Sequence, residues 1–305
     1  MLNNINSTFT LYFYKRGKMI IVLIIAIHFP KGRFTHMIYL KSFKLSPHTV
    51  KNPNAYPYNV FRKITGEVFV FNNITVLYGN NGSGKSTLLN LIANKLNITG
   101  AEDLTNNGYN TYPPDYMMDC SYNLGENKSD GESNRIPPNS QYIKSEDILY
   151  EIKKIQQEAV LKEGYLYQHS KLGYTKENLE KLKHSSQMYK QIEIMKFANE
   201  KYSNGETSMQ IFDEYLAPNG LYLLDEPETS LSPTNQIQLA EEINKLARFF
   251  NCQFVIATHS PFMLGTLDAK IYNLDAPLLR TYRWTELENV RYFYDFFRDR
   301  KNEFE

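Results

Sequence analysis

The stretch Gly79-Asn80-Asn81-Gly82-Ser83-Gly84-Lys85-Ser86-Thr87 constrains this chain more than any other. It follows an apolar run, Ile74-Thr75-Val76-Leu77-Tyr78, and leads into Leu88-Leu89-Asn90-Leu91-Ile92. That order predicts a buried strand, a glycine-rich turn and the opening of a helix. The spacing is GxxxxGK[ST], a phosphate-binding loop. Backbone N–H groups from Gly79 to Thr87 are expected to close around phosphate oxygens, helped by the helix N-terminal dipole. Lys85 is expected to neutralise phosphate charge, and the Ser86 hydroxyl to coordinate Mg²⁺. Gly84 carries no side chain to hold the backbone away from the phosphates. The stretch therefore predicts a site for a nucleoside triphosphate.

A chain of 305 residues, 42% hydrophobic and 14% aromatic, can bury the core of one large α/β domain, or of a core with a subdomain. A formal net charge of +1 gives no global basic field, so charge does not support DNA as a partner unless a local basic face exists. The two cysteines, Cys120 and Cys252, lie far apart with no CxxC or His cluster nearby. They suggest neither a disulfide scaffold nor a zinc site, and they fit a reducing cytoplasm.

Residues 1–36 stand apart. A basic flank, Lys15-Arg16-Gly17-Lys18, precedes the apolar run Met19 to Ile27. The run is too short for a spanning helix, and His28-Phe29-Pro30 makes a poor cleavage site for an export signal. Three readings stay open: an upstream extension with the functional start near Met37, an extra strand or buried segment, and a membrane or export signal. From Met37 the pattern is regular. Ile38 to Leu45 alternates as a half-exposed strand, Lys51 to Tyr58 is a Pro- and Asn-rich loop, and Val68-Phe69-Val70-Phe71 reads as another strand. Tyr58 and Phe61 are candidates to stack on a base, with core packing the commoner use of such rings.

Residues 100–145 read as a long loop rich in Asn, Gly, Ser, Pro and Tyr. Within it Asn127-Lys128-Ser129-Asp130 matches a guanine-reading NKxD, but no strand precedes it, so it is read as coincidence. Ile148, Ile152, Ile155 and Ala159 recur at helical spacing after Ser145-Glu146-Asp147, a cap with acidic first-turn residues. A second helical run is expected from Glu177 to Tyr202, with Leu179, Leu182, Tyr189, Ile192 and Met195 on one stripe. A last helix is expected from about Thr285, capped by Thr285 and Glu288, with Leu287, Val290, Tyr294 and Phe297 on one face, which could dock a partner, packing on the core being the commoner use.

Three further elements stand downstream. Tyr202-Ser203-Asn204-Gly205-Glu206 precedes a helical run from Met209 to Leu216. The strand Gly220 to Leu224 ends in Asp225-Glu226-Pro227-Glu228, where Asp225 would hold Mg²⁺ through water and Glu226 would polarise an attacking water. A second apolar strand, Cys252 to Ala257, runs into Thr258-His259-Ser260-Pro261, which places His259 at the ligand edge of a parallel sheet, within reach of a γ-phosphate.

In this order, phosphate loop, signature, paired carboxylates and histidine, the chain from about Met37 to Leu274 resembles the ABC-class ATPases. The texts DEPETSLSP and ATHSPFML resemble stand-alone bacterial AAA-family ATP-binding proteins of the recombination-repair (SMC-related) and abortive-infection branch more than a transporter subunit. The resemblance implies an α/β P-loop NTPase core with a mainly parallel sheet, a small N-terminal antiparallel β layer and an inserted helical subdomain. It implies ATP and Mg²⁺ as ligands. It also implies an ATP-dependent head-to-tail homodimer in which Ser203 and Gly205 of one chain complete the γ-phosphate site of the other. Lys85, Glu226 and His259 become the catalytic residues, and Ser86 and Asp225 the metal ligands. The signature departs from SGGQ, and Ser232 stands where transporters usually carry an aspartate. No glutamine is secured for the Q-loop, Gln141 and Gln168 being the candidates. The expected organisation is an extension over 1–36 and one ATPase domain over 37–305. Within that domain 37–99 form the β layer and phosphate loop, 100–215 a loop and helical subdomain, and 216–305 the remaining core. The expected function is a cytoplasmic, ATP-hydrolysing dimeric switch in a defence or repair-like system, with an effector nuclease or toxin as partner. The alternative is the nucleotide-binding subunit of an ABC transporter.

Overall fold

The computed structural model describes residues 11–15, 18–22, 37–104, 112–126, 134–183, 185–196, 209, 212, 215–229 and 231–305. The chain divides into two compact units, Met1–Thr35 and His36–Glu305. In the first, β1 (Leu11–Lys15) and β2 (Lys18–Val22) pair antiparallel, so Lys15, Lys18 and the start of the apolar run are extended chain. Among the described residues no helix is long and apolar enough to cross a membrane.

The second unit is built on β5 (Ile74–Tyr78), β8 (Leu221–Asp225) and β9 (Gln253–Ala257), each buried along its whole length. Strands covered on both faces are written as continuous apolar runs, which is why these three were legible. With β7 (Gln141–Lys144), β10 (Lys270–Asn273) and β11 (Thr281–Tyr282) they form one sheet in the order β11-β10-β5-β9-β8-β7. Every pairing is parallel except β10–β11. The parallel register brings the carboxyl ends of β5, β7, β8 and β9 to one edge.

Alternate side chains feed two cores. Val76, Tyr222, Leu224, Phe254 and Ile256 face α6 (Pro233–Phe249), α7 (Pro261–Thr266) and Leu287. Leu77, Leu221, Leu223, Val255 and Ala257 face α1 (Lys85–Lys95) and a small antiparallel sheet. That sheet runs β4-β3-β6, from Val68–Val70, Leu40–Lys44 and Ser121–Leu124. Gln253, fully buried, fastens the two sheets. Its Oε1 accepts from the Tyr39 and Leu40 N–H groups at 2.8 Å, and its Nε2 donates to the carbonyls of Leu40 and Asn72 at 2.8 and 3.0 Å. The α/β class, the mainly parallel sheet and the N-terminal antiparallel layer are as expected.

Several boundaries differ. The span 100–145 carries α2 (Tyr112–Asp119), β6 and β7 in place of one loop. Pro113-Pro114 fit α2 because a first turn needs no N–H from them, and β6 shows no apolar alternation because three of its four residues are exposed. In α3 (Ser145–Lys171) Ser145 is already helical, and its N-cap is Lys144, with no side-chain cap. The run from Glu177 divides into α4 (Lys176–Lys183) and α5 (Ser186–Lys196), and Tyr189 is exposed. Tyr165, Met188 and Ile192 make a separate small core between α3 and α5. The last helix, α8 (Glu288–Asp299), starts three residues late, and Glu286, not Glu288, reaches back, accepting from the Arg283 N–H at 2.9 Å. Only its first turn is buried, through Leu287 and Val290. Tyr294 and Phe297 are 56% and 52% exposed, so the expected packing of that face on the core is not observed.

Candidate functional site

The loop between β5 and α1 turns on two residues with positive φ, Gly82 at 83° and Gly84 at 95°. Lys85 is buried, and its Nζ donates to the carbonyls of Gly79 and Asn80 at 2.8 and 3.2 Å. The same ammonium stands 3.6 Å from Glu226 Oε1. Ser83 Oγ is closed off from solvent and has no hydrogen-bond partner. The Asn80 N–H donates to Asp275 Oδ2 at 2.7 Å, which ties the loop to the segment after β10.

Glu226 follows β8 with φ +48°, the left-handed region a side chain rarely adopts, and its N–H is held by the Ala257 carbonyl at 2.9 Å. Backbone strain of this kind, about 1–3 kcal/mol, persists where the surroundings impose it and collects at active sites. It turns Glu226 toward the loop while Asp225 stays buried against β7. Asp225 Oδ2 accepts from the Tyr142 hydroxyl at 3.1 Å. Its Oδ1 is buried with no hydrogen-bond partner. Burial pushes the Asp225 carboxyl up, opposed by the hydroxyls of Ser86 and Tyr142 and by the Lys85 charge. Burial also pushes the Tyr142 phenol well up, so it serves as a donor.

His259 sits between two carboxylates. Its Nδ1 is 3.6 Å from Glu226 Oε1 and 3.7 Å from Glu228 Oε1. Glu228 is buried and anchors the histidine turn, accepting from the Thr258 hydroxyl at 2.6 Å and from the His259 N–H at 3.1 Å. The His259 carbonyl accepts from Asn289 Nδ2 on α8 at 3.1 Å. Ser260 caps α7, accepting from the Met263 N–H at 3.2 Å, and donates to Gln236 Oε1 at 2.6 Å. Ser232 is a cap too, for α6, accepting from the Asn235 N–H at 3.3 Å.

Burial pushes the Glu228 carboxyl up, more than its hydrogen bonds from Thr258 and the backbone and the nearby His259 pull it down. A raised carboxyl in the fold means stability is lost as pH rises from the unfolded carboxyl value, about 4.3, through the folded one. Glu228→Gln keeps an acceptor at Oε1 and cannot ionise. The variant is expected to melt higher than the parent near pH 8, because it carries no charge that burial opposes. The gap is expected to close as pH falls toward the unfolded value. Thermal melts at pH 5 and pH 8 check this, and an equal or lower melting temperature at pH 8 refutes it.

Two cavities meet at Ser86 and Glu226. One, of about 470 Å³, lies over Gly82, Gly84, Lys85 and Thr87 beneath Tyr56, a size suited to a small ligand. The other, of about 200 Å³, is lined by Glu102, Tyr142, Lys144, Ser145, Glu146 and Asp225 in addition. The Asp225 carboxylate, which has one oxygen without a hydrogen-bond partner and lies near the Ser86 hydroxyl, gives an oxygen set that fits Mg²⁺, a hard cation taking one or two protein oxygens alongside phosphate.

The structure thus gathers Gly79 to Thr87, Asp225, Glu226 and His259. Ser203 and Gly205, and the NKSD segment Asn127 to Asp130, lie outside the described residues. Neither Q-loop candidate lines either cavity. Gln141 opens β7 opposite Tyr222, at the far end from Asp225, and Gln168 is in the last turns of α3. The residue opposite Asp225 at the ligand edge is Lys144, paired with Glu102. Phe61 is buried and Tyr58 packs edge-on against Tyr112 and Tyr116. The ring presented to the larger cavity is Tyr56, 40% exposed, whose hydroxyl donates to Thr87 Oγ1 at 3.1 Å. Tyr56, Tyr142, Lys144 and Glu228 were not assigned from sequence. Only Glu228, inside the paired-carboxylate text, carried a local signal.

A family described as "AAA ATPase domain" matches residues 204–264. Solved structures to which the chain is similar include the Smc head domain of Pyrococcus furiosus with an extended coiled coil, bound to the C-terminal domain of ScpA. It is 16% identical with a TM-score of 0.39, over 81% of this chain and 96% of that one. The SMC head domain of Thermotoga maritima is 12% identical with a TM-score of 0.38, over 81% and 99%. A nucleotide-free ATP-binding cassette from an ABC transporter is 17% identical with a TM-score of 0.38, over 78% and 87%. No curated protein sequence matches the chain. The family described as "ABC transporter" matches residues 69–229, more than half of the chain and the whole run from β4 through the paired carboxylates, and the chain belongs to that family of ABC-class P-loop ATPases.

Proposed function

We propose that the protein hydrolyses ATP with Mg²⁺ and works as an ATP-driven homodimeric switch in a defence or repair-like system. The observation that carries the hydrolytic part is the strained Glu226, whose carboxylate reaches Lys85 and His259 at 3.6 Å at the mouth shared by both cavities. The larger cavity takes the nucleotide. Tyr56 supplies an aromatic face for the base, and the N-terminus of α1 receives the phosphates. Lys85 leaves its loop carbonyls for phosphate oxygens. Glu226 orients the attacking water and takes its proton, while Lys85 and His259 offset charge that develops on the γ-phosphate. Ser86 and Asp225 would hold Mg²⁺, which supplies charge neutralisation on the phosphates.

The dimer and its biological setting rest on the resemblance carried by DEPETSLSP and ATHSPFML, in which Ser203 and Gly205 would reach the partner's γ-phosphate, and an effector nuclease or toxin would receive the movement. Light scattering of the full chain tests the switch. The mass is expected to double with ATP and Mg²⁺ and to return to the monomer as the nucleotide is consumed. A mass indifferent to nucleotide removes the dimeric reading. The transporter-subunit alternative would instead require a membrane protein that co-purifies with the chain.

A further inference from the structure

We propose that Tyr142 is a positioning residue for the metal: its hydroxyl fixes the Asp225 carboxylate so that the free oxygen faces Ser86. The inference rests on the reading of Ser86 and Asp225 as Mg²⁺ ligands.

The arrangement is built by the sheet. β7 is an edge strand of the parallel array, and its register sets Tyr142 opposite Leu223 and Lys144 opposite Asp225. Tyr142 is buried, and its hydroxyl crosses 83 residues of sequence to Asp225 Oδ2 at 3.1 Å. A carboxylate can only accept, so the phenol donates. With Oδ2 occupied, the carboxylate can no longer turn freely about its last bond. Its Oδ1 is buried and without a hydrogen-bond partner, and Asp225 and Ser86 line the smaller cavity together. Lys144 and Glu102 brace the same wall: the ammonium stands 5.3 Å from the centre of the Tyr142 ring and is ion-paired to Glu102.

A hydroxyl that merely satisfied a buried phenol would predict something different. Its loss would affect stability, by about 1–3 kcal/mol if a buried polar atom were left unpaired, and would not distinguish metal-loaded from metal-free nucleotide. A hydroxyl that orients a metal ligand should be felt only when metal is present. Outer-shell partners of metal ligands are typically worth about 10–100-fold in metal affinity.

The test is Tyr142→Phe in the full chain, titrated with the β,γ-imido analogue of ATP in Mg²⁺ and again in EDTA, with melting temperature alongside. The readout is the ratio of the two dissociation constants, which needs no turnover. The variant is expected to bind the analogue in EDTA within about twofold of wild type, and to lose about tenfold or more of the affinity that Mg²⁺ adds. An unchanged ratio overturns the proposal, as does an equal loss in both conditions, which would mark Tyr142 as structural. A wild-type protein that binds the analogue equally with and without Mg²⁺ overturns the metal assignment and the proposal with it. A wild type that binds no analogue at all removes the nucleotide reading beneath both, so each failure is identifiable.

Discussion

Glutamine at position 226 is expected to lower ATP turnover by about 10²–10⁴-fold while leaving ATP affinity within about a factor of two. The carboxamide has nearly the volume of the carboxylate, so the strained turn at φ +48°, held by the Ala257 carbonyl, has no steric reason to change. What is lost is the carboxylate base. A carboxamide can hold a water but cannot take its proton, and among the described residues neither neighbouring carboxylate is free to replace it. Glu228 is buried and committed to Thr258 and the His259 backbone, and Asp225 is committed to Tyr142. The missing charge also bears on binding. In the wild type the Glu226 carboxylate lies 3.6 Å from Lys85, the cation that must turn to the phosphates. Removing it takes a like charge away from an incoming polyanion, so affinity should hold or rise slightly. A low-turnover variant that still binds should also accumulate the ATP-loaded dimer. Phosphate release, analogue binding and light scattering on the same sample separate these effects. Turnover within threefold of wild type would sink the role given to Glu226.

How much of this was readable in the chain follows from where the information sits. β5, β8 and β9 are covered on both faces and appear as largely apolar runs, broken only by Thr75, Gln253 and the closing Asp225, and the loop Gly79 to Thr87, Glu226 and His259 follow closely in sequence. A parallel sheet then places those three strand ends together without further instruction. Tyr142, Tyr56 and Glu228 are different. Their partners lie 83, 31 and 30 residues away, and nothing beside them in sequence names those partners. Tyr142 belongs to a four-residue edge strand preceded by Pro137-Pro138 and Asn139-Ser140, a context that reads as loop. Tyr56 sits two residues before Tyr58, and only the packing of Tyr58 on Tyr116 decides which ring is left for a ligand. In the C-terminal helix the sequence shows an apolar stripe, yet only its start meets the core, through Leu287 and Val290 and the hydrogen bonds of Asn289 to Tyr78 and His259, while Tyr294 and Phe297 are exposed.

The phosphate loop offers a sharper test of structure against motif. The motif fixes Gly79 and Gly84 and leaves Gly82 free, whereas the backbone gives Gly82 and Gly84 the same handedness, φ +83° and +95°. Their surroundings divide them. A methyl group on Gly82 meets nothing within 4 Å, but one on Gly84 would lie 2.4 Å from Val60 Cγ1 and 3.1 Å from the ring of Phe61, which is buried. Alanine at 82 therefore pays only the left-handed backbone cost, about 1–2 kcal/mol. If that cost falls wholly on the bound loop, it is worth about tenfold in affinity. Alanine at 84 carries the same cost and must also displace Val60 and the Phe61 core, at about 1–3 kcal/mol more for overpacking. It does so at the N-cap of α1, where the helix presents its N–H groups to phosphate. Gly84→Ala is expected to weaken ATP binding by about 100-fold or more, and Gly82→Ala by about tenfold or less. Val60→Ala in the Gly84→Ala background should recover part of the loss, since it removes the nearest clashing atom. Equal losses in the two alanine variants, or no recovery with Val60→Ala, would mean that backbone handedness alone, and not the closed wall behind the loop, sets affinity here.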